Sequence, residues 1–337
     1  MHNVSDSTTP VIVSAVRTPI GRYLGGLSSF TAPQLGAMVI RDAVTRAGVD
    51  PSEVEEVIMG QVVQGGSGQA PARQALIHAG LPPSIPALTI NKVCGSGLKA
   101  VMLASQAIKA GDAECIVAGG QEAMSNAPHY VYGMRAGIKA GNQTMVDGMI
   151  HDGLWDSFGC CHMGEYAEYT AEKAGVSRAD QDAFAYDSHR KAVAAADAGK
   201  FKAEILPVQA PGKGGHTTVS ADESPRRDTT AETLAKLKPA FRKDGGTVTA
   251  GNAPGLNDGA SALTPPAAPS SPPTARTASG CSVMGTGLNG TGTTTCADRA
   301  TSRVPSPMAM PRRTARLWTG EARLAPTEAG PASGFIR

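Results

Sequence analysis

A chain of 337 residues with 41% apolar side chains is long enough for two domains, or for one large α/β body with an inserted lobe. Only 4% of its residues are aromatic and 40 are glycine, so packing must rest on small aliphatics and close backbone approach, which excludes little but favours a layered α/β fold over a β-sandwich. The formal charge of +2 is unevenly spread: eight Arg, no Lys and three acids follow Leu263, against 23 basic and 26 acidic residues before it, and neither part has the basic face that nucleic acid requires.

The first 120 residues alternate short apolar runs with helical patterns. Val11 to Val16 reads as a strand closed by Arg17-Thr18-Pro19, and Gln34 to Ala47 as a helix with Leu35, Met38, Val39, Ala43 and Val44 on one face, ended by Gly48. Val54 to Val63 carries a second strand, Arg73 to Ala79 a helix ended by Gly80, and Ala87 to Ile90 a third strand. Leu98 to Ala110 is the next helix, stopped by Gly111, and Glu114 to Ala118 a fourth strand, ended by Gly119-Gly120. Such alternation predicts an α/β domain over residues 1–120, with a mostly parallel sheet and helices on both faces. From Gln121 to Gly246 the alternation gives way to Gly-, Met- and His-bearing loops, with helices at Tyr166 to Ala174 and Arg178 to Ala198, the latter opened by Ser177 as an N-cap. That stretch reads as an inserted lobe. A strand-like run at Thr247 to Asn252 marks a return to the first domain over residues 247–263.

After Leu263 the character changes. Of the 74 residues in 264–337, seven are Ile, Leu, Val or Phe, ten are Pro and twelve are Thr. Such a segment buries too little apolar surface to offset its ordering entropy, so disorder is expected there. Pro265-Pro266 is expected to stop Ala260 to Leu263 from continuing as a central strand, costing the sheet one strand and exposing an apolar layer. The six cysteines form no CxxC pair, the first nine residues lack a signal-peptide layout, and no run approaches the ~18 apolar residues of a membrane span. A cytoplasmic setting with reduced thiols, and no membrane or nucleic-acid partner, is expected.

Chemistry concentrates at Ile90-Asn91-Lys92-Val93-Cys94-Gly95-Ser96-Gly97-Leu98, where a cysteine stands between an apolar strand and an apolar helix. A thiol there faces the positive end of a helix, which favours thiolate and can stabilise an oxyanion. On residues alone, a structural cysteine is the other reading, and for a free Cys in an α/β core the commoner one. Arg226, likewise, reads alone as a surface charge, His162 as a hydrogen-bonded loop residue and Glu122 as a structural carboxylate. Cys160-Cys161-His162 lacks a second ligand pair at zinc spacing, so no metal is expected, and Lys213-Gly214-Gly215 lacks the glycine spacing of a phosphate loop.

Five segments in order resemble the thiolase family: Val13 to Gly21, Asn91 to Ala100 around Cys94, Gly119-Gly120-Gln121-Glu122-Ala123-Met124-Ser125, His162-Met163-Gly164 with Ala167-Glu168, and Asn252 to Ala260. The resemblance spans about residues 10–263 and implies a thiolase-like N-terminal half, with Cys94 as the nucleophile that accepts an acyl group from coenzyme A. It also implies coenzyme A contacts at His162, Met163, Arg226 and Phe241, with Ala250 and Pro254 lining the pantetheine path. At Pro254 the family often has Ser, so a hydroxyl contact is lost. Coenzyme A thioesters are then substrates, no resident cofactor is expected, and the lobe implies a homo-oligomer, dimer or tetramer. The family's second half supplies an Asn-Glu-Ala-Phe, a Gly-His-Pro and a Cys-x-Gly-Gly. None of these strings occurs in the chain, whose last histidine is His216. Val283-Met284-Gly285-Thr286-Gly287 resembles a remnant. The expectation is a truncated or frame-shifted member in which the C-terminal domain is missing and full turnover is lost.

Overall fold

The computed structural model describes residues 9–212 and 214–265, all within one compact unit. The expectations for the 264–337 tail, disorder, a remnant and a missing domain, fall almost wholly outside the described residues.

Its elements are β1 (Ser14–Arg17), β2 (Gly21–Arg22), α1 (Ala32–Ala47), β3 (Glu56–Gly60), α2 (Pro71–Ala79), β4 (Ala87–Ile90), α3 (Ser96–Ala110) and β5 (Ile116–Ala123). Then come two small hairpins, β6 (His129–Tyr130) with β7 (Val146–Asp147) and β8 (Trp155–Asp156) with β9 (Cys161–His162). Helices α4 (Met163–Ala174) and α5 (Arg178–Asp197) follow, then the hairpin β10 (Val208–Gly212) with β11 (Gly215–Val219), a short α6 (Ala231–Ala235) and β12 (Asn257–Thr264). The main sheet runs β1-β12-β5-β3-β4, with β2 also on β12.

Strand β3 pairs in parallel with β4 and β5, whereas β12 is antiparallel to β1, β2 and β5. The sheet is therefore mixed, with one reversed strand wedged between β1 and the parallel trio. Chain order moves one way from β3 to β4 and the other way from β4 to β5, so right-handed crossovers put α2 and α3 on opposite faces. Strand residues alternate accordingly. Val57, Met59 and Val117 join α1 and α2 in the larger core, while Ile58, Ile116 and Ala118 meet Ala100, Ala104 and Ile108 of α3.

Helix ends follow their caps. Thr31 accepts from the Gln34 amide and Gln34 reaches back to it, so α1 starts two residues ahead of the expected Gln34. Gly48, Gly80 and Gly111 all adopt the left-handed conformation at C-caps.

Three expectations are corrected. Gly119-Gly120 does not end the fourth strand; β5 runs on to Ala123 because its backbone pairs with β3 on one side and β12 on the other, and a Cβ on Gly119 would overlap the Ser261 carbonyl. Thr247 to Asn252 is not a strand, since the Glu168 carboxylate takes the Thr247 and Val248 amides (2.8 and 2.9 Å) and Asn252 Oδ1 takes that of Thr249 (2.7 Å). No strand is lost before the prolines. Ala260 to Leu263 lies in β12, a central strand that stops at Thr264, and the Pro265 carbonyl still accepts from Ile116. The exposed apolar layer lies instead on the outer side of α3, at Leu98 and Met102, and on the edge strand at Leu88.

Candidate active site

Cys94 lies on the turn joining β4 to α3, one residue before the Gly95 N-cap. The turn is held from within: Asn91 Oδ1 accepts from Val93 N (2.9 Å), Ser96 Oγ accepts from Lys92 N (2.7 Å), and the same hydroxyl donates to Val93 O (2.6 Å). Val93 sits at φ +48°, a conformation that costs a β-branched residue of order 1–3 kcal/mol. Cys94, the next residue, is exposed at the N-terminal end of α3, where the Gly95 and Ser96 amides donate back to the Lys92 and Val93 carbonyls (3.1 and 3.0 Å).

The thiol opens on a cavity of about 410 Å³ at the carboxyl ends of the parallel strands, where open α/β sheets bind ligands. Gly60 at the end of β3 with Gln61 and Val62 after it, Val93 and Ser96 at the turn, Gln121 and Glu122 of β5, and Gly153 and Leu154 from the lobe are among its walls. Glu122 accepts from the Val62 amide (2.8 Å) and from Val63 (3.3 Å). Burial nevertheless pushes its carboxyl up to about 6, those amides opposing the shift. It is thus a structural carboxylate that also faces the cavity.

A second cavity of about 740 Å³ lies on the lobe side and is lined mainly by apolar groups, among them Met149, Ile150, Val248 and Leu256. Leu154 borders both cavities. Here the structure gathers five of the six expected contacts: His162, Met163, Phe241, Ala250 and Pro254. His162 caps α4 by accepting from Gly164 N at its Nδ1 (3.0 Å), and its ring stacks on Phe241 with centroids 4.8 Å apart. Arg226 is not in this group; it is exposed, and its amide donates to His189 Nδ1 (3.2 Å). Glu168, from the same segment as His162, turns inward as the clamp on Thr247 and Val248.

Leu154, Met149 and Ile150 were not legible as site residues. They belong to or border a single π-helical turn, Ile150–Leu154, and a π turn has no hydrophobic period to betray it. Cys160 and Cys161 line a further cavity of about 590 Å³ with Trp155, Tyr166, Tyr169 and Arg242, which shares His162 with the larger one, and no metal-binding cluster occurs among the described residues.

An exposed cysteine on a strained strand-to-helix turn, at the carboxyl ends of the parallel strands of a mixed sheet and next to a mainly apolar cavity, marks an α/β protein with a candidate site at that turn. The family model of the thiolase N-terminal domain matches residues 10–264. The chain is 57% identical over 254 residues to an acetyl-CoA acetyltransferase of Pseudomonas aeruginosa, covering 75% of this chain and 64% of that protein. It is 57% identical over 257 residues to one from Cupriavidus necator, covering 76% and 65%, and 52% identical over 253 residues to a probable acetyl-CoA acetyltransferase of Escherichia coli, covering 75% and 64%. The chain belongs to the thiolase family. It spans about 64–65% of the length of these curated relatives.

Proposed function

We propose that this chain takes an acyl group from an acyl-coenzyme A onto Cys94. Its Sγ, as thiolate, attacks the thioester carbonyl; a new C–S bond forms, the bond to the coenzyme A sulfur breaks, and coenzyme A leaves as a thiolate that takes up the proton Cys94 released. In the whole family reaction the acyl group then passes to a second acetyl-coenzyme A carbanion, giving acetoacetyl-coenzyme A, or in reverse to free coenzyme A. The observation that carries this reading is the placement of Cys94: exposed, on a strained turn, at a helix N-terminus, in a cavity that shares Leu154 with the apolar cavity of His162, Met163, Phe241, Ala250 and Pro254. Those five side chains would hold the pantetheine arm, and Arg226 would reach the nucleotide only from outside the cavity. Coenzyme A thioesters are the substrates, with no resident cofactor. A cytoplasmic homo-oligomer is part of the same proposal; no helix among the described residues is long and apolar enough to cross a membrane.

The second reading is a catalytically silent, coenzyme A-binding or oligomer-forming thiolase. Among the described residues no imidazole lines the Cys94 cavity, and its one carboxylate, Glu122, is engaged by the Val62 and Val63 amides rather than by a group of the turn. Incubation with acetyl-coenzyme A separates the two. Release of coenzyme A in an amount equal to the protein, absent in Cys94→Ser, supports acyl acceptance. No release from the wild-type chain leaves only the silent reading. Acetoacetyl-coenzyme A formation is not expected in either case.

A further inference from the structure

Two walls of the Cys94 cavity come from outside the sheet: the loop after β3, which supplies Gln61 and Val62, and the π-helical turn Ile150–Leu154, which supplies Gly153 and Leu154. Tyr130 of β6 stands behind both. A Cβ on Gly65 would overlap its hydroxyl oxygen, and one on Gly148 would lie 2.9 Å from its Cζ, so the phenol fills a slot that exists only because both positions are glycine. Tyr130 Oη donates to Asp152 Oδ2 at 2.6 Å, and the other oxygen of that carboxylate lies 2.6 Å from His151 Nδ1. Next to it, the Pro128 carbonyl accepts from Gly148 N (2.9 Å), and Pro128 packs against Gly66. A single side chain therefore ties together the loop after β3, the base of the β6–β7 hairpin and the π turn.

The tie has something to hold. A π turn is an uncommon, strained arrangement that persists where surrounding contacts impose it. The hydrogen bond to Asp152 also pushes the Tyr130 phenol up to about 12. Neither Tyr130 nor Asp152 lines the Cys94 cavity or the larger one, so neither is placed to react.

We infer that the Tyr130–Asp152 pair is a positioning device for acyl transfer: it holds Gly153 and Leu154 across the cavity from Cys94, so that a thioester carbonyl entering past Leu154 arrives in line with the thiol. This rests on the acyl-transfer reading. It also explains why a hydrogen-bonded cluster on the outside of the lobe sits so close to the nucleophile's cavity. A misplacement of about 1 Å at a reacting centre costs up to about a hundredfold in rate, and a loosened π turn is a partial misplacement of that kind.

Tyr130→Phe keeps the ring in its slot and removes only the hydroxyl; Asp152→Ala removes the acceptor. In the full chain, each is expected to lower the maximal rate of Cys94 acetylation by about tenfold while leaving the half-saturating acetyl-coenzyme A concentration within about twofold, because most of the larger cavity is built by other elements. The double variant should be no slower than the single ones, as expected for partners in one contact. A wild-type rate in Tyr130→Phe, or a change confined to the half-saturating concentration, overturns the inference. Tyr130→Phe carries the test alone if Asp152→Ala does not fold. Should the wild-type chain accept no acetyl group, the acyl-transfer reading fails, and iodoacetamide decides on the pair by itself. Capping of Cys94, read by peptide mass, should then be at least about threefold faster in Tyr130→Phe because its wall is looser; equal rates overturn the inference.

Discussion

At Cys94 the decisive physics is local: a β-branched residue, Val93, forced to positive φ, its amide donating to Asn91 and its carbonyl accepting from Ser96, and a helix that begins two residues after the cysteine. Glu122 is the carboxylate of the same cavity. Its carboxyl ordinarily titrates at 4.5 and is pushed up to about 6 by burial. The folded chain thus holds that proton more tightly than the unfolded chain. Below pH 4.5 both states are protonated and nothing is lost; as pH rises through about 6 the charged form becomes a cost, which is constant above that. Glu122→Gln should therefore raise stability at pH 7.5 by up to about 2 kcal/mol relative to its effect at pH 4, measured by urea unfolding at both values. An identical difference at the two pH values would show that Glu122 carries no such cost.

At the scale of elements, stability rests on capped helices against a sheet whose alternate residues feed two cores. Thr31→Ala removes the α1 cap and should cost about 1 kcal/mol. Ile108→Ala, in the small core under α3, should cost about 2–5 kcal/mol, and urea melts would rank the two. Much of this layout was legible in the sequence, because apolar periodicity and the cap glycines Gly48, Gly80 and Gly111 act locally. What escaped was decided by distant partners. Gly119-Gly120 reads as a stop until β12 is seen pressing on it, and Thr247 to Asn252 reads as a strand until Glu168 and Asn252 take its amides. Residues of the candidate site were legible where a motif carried them, as with Cys94 and His162. Leu154, which enters both cavities on a π turn, had no such signal, and Arg226, read from the resemblance, lies outside the larger cavity.

For the molecule as a whole, the outer side of α3 leaves Leu98 69% and Met102 49% exposed, and Leu88 of the edge strand is exposed as well. Apolar groups gathered in this way drive association. If the full chain self-associates in sedimentation, Leu98→Lys combined with Met102→Lys should lower that association while leaving the unfolding midpoint within a few degrees; unchanged association would place the contact elsewhere. The central claim concerns the turn at the N-terminal end of the same helix, where Cys94 meets the cavity. It is tested most directly by peptide mass mapping of the full chain after incubation with acetyl-coenzyme A. The account predicts one acetyl group, labile to hydroxylamine as a thioester is, on the peptide containing Cys94 and on no peptide of Cys94→Ser. An unmodified Cys94, or an acetyl group carried instead by Cys160 or Cys161, would contradict it.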